Sequence, residues 1–129
     1  MKNILRLFLL GVLTWIVPFI VGFLFFDKTG QLAIDIYLFK TIMIIVGGLI
    51  GSFAIVLYFK KKNDLFLKHG VIAGITWFAI NNILDILILV PMTQMSIDEF
   101  ISQIGLRYLL IPIMCILCGY LLNKKQIAN

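Results

Sequence analysis

The chain has 129 residues, 62% of them hydrophobic and only 13% charged, with a formal net charge of +5 at pH 7 and a mean hydropathy of +1.10. Soluble domains average roughly half apolar and a quarter charged residues, and in so small a chain surface outweighs interior, so a water-soluble globule is excluded. The basic residues gather at the ends of apolar runs, which is the pattern of membrane orientation rather than of nucleic-acid binding. The expected partner is the lipid bilayer, with no nucleic acid.

Lys2 and Arg6 precede an apolar run reaching Phe26, longer than a signal-peptide core and followed by no Ala-x-Ala-like site. It reads as a retained first span over residues 7–26. At about 1.5 Å per residue, such a helix crosses a hydrocarbon core of roughly 30 Å. Gly11, Trp15, Pro18 and Gly22 fall on or near one face, and Pro18 predicts a kink. Asp27 to Gln31 is the first polar interruption. A second span covers residues 38–58 and carries Gly47, Gly48, Gly51 and Ser52. These form two overlapping small-xxx-small pairs, which predict a close helix contact inside the bundle or between protomers.

Lys60, Lys61, Lys62, Lys68 and His69 mark a basic loop, in which the lone histidine is expected to be solvated. The third span, residues 71–90, reads VIAGITWFAINNILDILILV and is expected to close at Pro91. Ser96 and Glu99 form a capping box. Ile97, Phe100, Ile101 and Ile104 then recur at helical spacing, predicting an interfacial amphipathic helix over residues 96–104. The fourth span, residues 106–122, contains Pro112 and runs into Lys124 and Lys125.

Lys2, Arg6, Lys60, Lys61, Lys62, Lys68, Lys124 and Lys125 lie on one side, against Lys28, Lys40 and Arg107 on the other. The positive-inside rule therefore predicts a multi-pass protein of the cell membrane with both termini in the cytoplasm. Features also recur at an offset of 62 or 63 residues: Thr14-Trp15 with Thr76-Trp77, Ile34-Asp35 with Ile97-Asp98, and Lys61-Lys62 with Lys124-Lys125. The expected fold is all-α, an integral-membrane four-helix up-and-down bundle, divisible into two tandem helical hairpins.

Within the third span, Asn81, Asn82 and Asp85 share one broad helix face, extended towards the cytoplasm by Trp77 and by the packing glycines Gly70 and Gly74. Asp85 lies roughly 7 to 9 Å below the outer end, where a bare carboxylate is costly. Lys40 and Arg107 stand at compatible depth, so an ion pair from Asp85 to one of them is expected, with Tyr37, Tyr108, Thr41 and Asn82 completing the hydrogen bonds. The cluster reads either as interhelical glue or as a ligand or ion path lined by Asn81, Asn82, Asp85, Lys40, Arg107, Trp77 and Tyr108. Cys115 and Cys118 form a CxxC pair in apolar surroundings and read as packing residues. Neither a nucleophilic triad, a phosphate-cradling loop nor a metal-ligand set can be assembled, so no catalytic residue, metal or cofactor is expected, and an enzyme is disfavoured.

The runs TWFAINNILDILILVPM and IGLRYLLIPIM, with the spacing of Trp77, Asn81 and Asp85 and the Arg107-Tyr108 pair before Pro112, resemble a family of small, uncharacterised four-span prokaryotic membrane proteins. The resemblance spans Gly74 to about Gly119 and implies the architecture without an activity. Two functions stay in view. One is an oligomeric translocation unit for an ion or small solute, with a polar cavity facing outward. The other is a non-catalytic scaffold or subunit, in which glycine-rich helix faces dock a second copy or a membrane-protein partner.

Overall fold

The computed structural model describes residues 2–128. Four helices are long and apolar enough to cross a membrane: Lys2–Phe23, Ile36–Phe59, Phe66–Thr93 and Gly105–Ala128. The protein is thus an all-α, four-helix membrane bundle. We label the regular pieces α1 (Lys2–Phe23), α2 (Ile36–Phe59), α3 (Phe66–Leu84), α4 (Val90–Thr93), α5 (Ile97–Gln103) and α6 (Leu110–Ala128). A π-helical turn, Asp85–Leu89, joins α3 to α4, and a 3₁₀ turn, Gly105–Leu109, leads into α6.

The spans pair as two hairpins, α1 with α2 and α3 with α6, and the hairpins join through α1 and α3. Spans α2 and α6 also touch, but only lightly. Chain neighbours α2 and α3 meet mainly through aromatic rings near their connecting loop. There the Tyr58 ring lies edge-on to Trp77 at 5.7 Å, and Phe59 sits 6.3 Å from Phe66. His69 belongs to this cluster, on α3 rather than in a solvated loop, with Nδ1 3.4 Å from the Tyr58 hydroxyl. The Arg6 guanidinium donates to the carbonyl of Leu57 in the last turn of α2, where helix carbonyls lack internal donors.

The densest seam is α3 against α6. A Cβ on Gly74 would stand 2.6 Å from Pro112 Cα, one on Gly119 2.5 Å from the Phe66 carbonyl oxygen, and one on Gly70 would overlap the Cys115 carbonyl. Gly70 and Gly74 thus pack helices as expected, and Cys115 is a fully buried small residue between them. Gly47, Gly48 and Gly51 differ: open space surrounds the position of a Cβ at each. The close contact expected of them is not made inside this chain, because α2 meets α1 through other residues, and at its loop end Ala54, Ile55, Tyr58 and Phe59 are the ones buried.

Several boundaries move, and the third and fourth spans extend from the expected 71–90 and 106–122 to Phe66–Thr93 and Gly105–Ala128. Pro91 does not close the third span, which runs on to Thr93 and ends at Gln94 in the left-handed conformation. Proline clashes with the carbonyl four residues back, here Leu87, and widening the preceding turn to the π spacing accommodates it. The first span begins at Lys2 and ends at Phe23, and a tight turn with a Phe26–Leu32 bridge replaces its last residues. The amphipathic helix is α5, with the Ser96 hydroxyl accepting from the Glu99 amide at 3.2 Å and Phe100 buried beneath it.

Candidate functional site

One face of α3 presents Gly70, Gly74, Trp77, Asn81 and, at its C-terminal end, Asp85, all buried. The glycines turn to α6 and the larger side chains turn to α1. The Trp77 indole N–H donates to the Leu7 carbonyl at 2.8 Å, in space left by Gly11, where a Cβ would come within 2.7 Å of the ring. Leu7 lies early enough in α1 for its carbonyl to be occupied already by the helix, so Trp77 adds a second donor there.

One turn on, Asn81 is 1% exposed. Its Nδ2 donates to the Trp77 carbonyl at 2.8 Å and to Thr14 Oγ1 at 3.0 Å, and the Thr14 hydroxyl donates to the Gly11 carbonyl at 2.6 Å. The carbonyl of Trp77 only accepts, so it fixes which end of the amide faces it. Asn81 Oδ1 is then left buried with no hydrogen-bond partner. Such orphans are rare and costly in folded proteins.

Asp85 is 2% exposed and opens the π turn. Its Oδ1 accepts from the Trp15 indole N–H at 2.6 Å, and its Oδ2 accepts from the Tyr108 hydroxyl. Three spans therefore meet at one carboxyl: α1 through Trp15, the third span through Asp85, and the fourth through Tyr108. The backbone N–H of Asp85 is shared between the carbonyls of Asn81 and Asn82, and its carbonyl accepts from Val90 five residues on.

The expected ion pair to Lys40 is not formed. Lys40 Nζ donates instead to Gln103 Oε1 at 3.1 Å, tying α2 to the end of α5. That bond is exposed, so the ammonium stays near water instead of being desolvated beside the buried carboxyl. Arg107 is near enough for its charge to act on Asp85, yet no ion pair joins them, and its Nε is buried without a partner. The 3₁₀ turn gives the inward direction to Tyr108, and its neighbour Arg107 takes another. Asn82 also stands apart: its Nδ2 donates to the Phe78 carbonyl at 3.0 Å and its Oδ1 lies against Gly105.

Of the residues expected at the site, the structure brings together Asp85, Asn81, Trp77 and Tyr108. It adds Trp15 and Thr14, which the sequence marked as half of a repeated Thr-Trp pair, with Trp15 also on the glycine-bearing face of the first span, but not as site residues. The cluster is closed, for neither Asp85 nor Asn81 is reached by solvent. Open surface depressions along Tyr120–Ala128 and along Lys2–Phe8 lie away from the cluster. Among the described residues, no three His, Cys, Asp or Glu side chains gather to hold a metal. No protein-family model, curated protein or solved structure matches the chain.

Proposed function

We propose that this protein translocates an ion or small polar solute across the membrane, with Asp85 as the group that binds the cargo. The observation that carries this reading is a carboxyl buried at the meeting of three spans and held by Trp15 and Tyr108, with no cation paired to it. An ionisable group inside a membrane bundle is costly and is retained where it serves a path. Two neutral donors hold the carboxylate in place, and Arg107 acts on it only from a distance, without forming an ion pair. A structural ion pair would have cancelled the carboxylate's charge.

Local helix geometry favours the same reading. The π turn starts at Asp85, the 3₁₀ turn carries Tyr108, and Pro18, Pro91 and Pro112 each remove one helical hydrogen bond from the three spans that meet there. These turns can reset, so a closed cluster can open. Opening is assigned to the end with fewer basic residues, which the positive-inside rule makes the outer face, with both termini in the cytoplasm.

The test is flux in reconstituted vesicles. Asp85→Asn keeps the shape and one of the two acceptor oxygens while removing the charge. Uptake is expected to fall roughly tenfold or more, equivalent to at least about 1.4 kcal/mol, with helicity and monodispersity intact. Unchanged uptake in a folded Asp85→Asn protein would end this reading.

A second reading has its own observation. Gly47, Gly48 and Gly51 form an open strip on α2 that nothing in this chain occupies, and small residues are what lets helices approach in lipid. On that reading the protein is a membrane subunit that docks a partner helix or a second copy through α2. Gly48→Leu would then abolish the complex, while Asp85→Asn would leave it in place.

A further inference from the structure

We infer that the ion handled at this site is a proton, held by Asp85 and shared with the amide oxygen of Asn81. The inference rests on the reading that Asp85 is the ion-binding group, and it names the ion.

An inventory of oxygens separates a proton from a metal cation. Asp85 Oδ1 and Oδ2 already face an indole N–H and a phenol O–H. Thr14 Oγ1 donates to the Gly11 carbonyl and accepts from Asn81 Nδ2. Asn81 Oδ1 alone is buried and without a donor. Hard metal cations take several oxygens whose lone pairs all point at the ion. Here hydrogens point at the carboxylate instead, and a cation would have to displace Trp15 and Tyr108 before it could bind. One free amide oxygen does not make a coordination shell.

A proton needs none of that room. It forms one O–H bond on the Asp85 carboxylate and cancels the charge, with no electron moved and no other bond broken. It comes from the aqueous phase and returns there. The new O–H needs one acceptor, and Asn81 stands four residues earlier on the same face, one helical turn away. The Asn81 orphan and the need of a protonated Asp85 are therefore complementary.

The charged and titratable groups around Asp85 are few. The fourth span brings the Tyr108 hydroxyl and the Arg107 guanidinium. From α1 come Trp15 and Thr14, and from its own helix Asn81 and Asn82, none of which titrates. Lys40 is engaged with Gln103, and Asp98 and Glu99 are exposed on α5.

Infrared spectroscopy of the full chain in lipid reads the proton directly. The expected result is a protonated-carboxyl C=O band that shifts in D₂O, appears and disappears with pH, and is missing in Asp85→Asn. It should be the same in sodium, potassium and choline chloride. If Asp85→Asn does not fold, Tyr108→Phe makes the assignment: it leaves Asp85 in place and moves the band by removing one of its hydrogen bonds. Ionised-carboxylate bands that move when sodium or potassium replaces choline would overturn the proposal in favour of a metal cation. So would a carboxyl that responds to neither pH nor salt. The spectrum is independent of flux: a titrating Asp85 band in vesicles that transport nothing would leave the proton site standing and remove the translocation reading. Cation uptake without a titrating band would do the reverse.

Discussion

Two glycines in apolar helices, Gly74 of α3 and Gly48 of α2, have opposite roles in this protein. At Gly74 the backbone of α6 is so close that a methyl group would stand 2.6 Å from Pro112 Cα, and backbone cannot step aside as a flexible side chain can. At Gly48 a methyl would meet nothing within 4 Å. Gly74→Ala is therefore expected to destabilise the fold by about 1–3 kcal/mol through overpacking. Gly48→Ala should be neutral or stabilising by up to about 1 kcal/mol, because alanine is the better helix former. Thermal unfolding of the two variants in detergent, run side by side, checks both. An equal loss would mean that α2 packs through Gly48 after all, which only a second copy or a partner could supply. Both glycines were legible as packing residues from their spacing. Which of the two would be used inside the chain was not, since small-xxx-small spacing marks a face and leaves its partner open.

Among the elements, the connection between α1 and α2 shows how a polar interruption becomes a defined turn. Asp27 Oδ1 accepts from the Thr29 hydroxyl at 2.6 Å and from the amides of Thr29 and Gln31, both at 2.9 Å, while Gly30 supplies the left-handed residue at φ +82°. The Thr29 hydroxyl first, and then the Gln31 amide, hold the Asp27 carboxyl below the usual aspartate range. Because the folded value is the lower one, the contribution to loop order is complete above the ordinary aspartate range. It is lost as pH falls through the lowered value. Hydrogen-exchange protection of the Thr29 and Gln31 amides should follow that course in the native protein. Asp27→Asn should lose the pH dependence. The helices on either side were readable from apolar length, and α5 from its Ser96 cap and apolar spacing. The π turn was not, because it answers a clash between Pro91 and the Leu87 carbonyl that periodicity does not record.

At the scale of the whole molecule, the two hairpins join chiefly through α1 and α3, in an order that lets α2 and α6 touch only lightly. This order puts the most polar face of α3 against α1 and the fourth span, and it leaves the middle of α2 to lipid. Lysines and arginines are in excess at one end of the bundle, eight against three, and the expected orientation follows from that bias. Single cysteines placed at Asn63 and at Lys28, on a background without Cys115 and Cys118, test it with an impermeant thiol reagent added to intact cells. Labelling is expected at position 28 and not at position 63, and the reverse pattern would invert the proposed path.

Composition and run lengths by themselves determined that this chain is a four-span helical membrane protein, because a bilayer demands about 20 apolar residues per crossing and little else. Helical spacing likewise determined that Asn81 and Asp85 share the face that Trp77 and Gly74 occupy. Only the tertiary structure decided what meets that face. Charge and depth pointed to Lys40 or Arg107, whereas the carboxyl is held by Trp15, 70 residues away in sequence, and by Tyr108. The physical reason is that sequence periodicity fixes the rotation of residues around their own helix axis. The rotation of one helix against another is set by packing, here by the glycine contacts between α3 and α6 and by the Trp77 indole against Gly11.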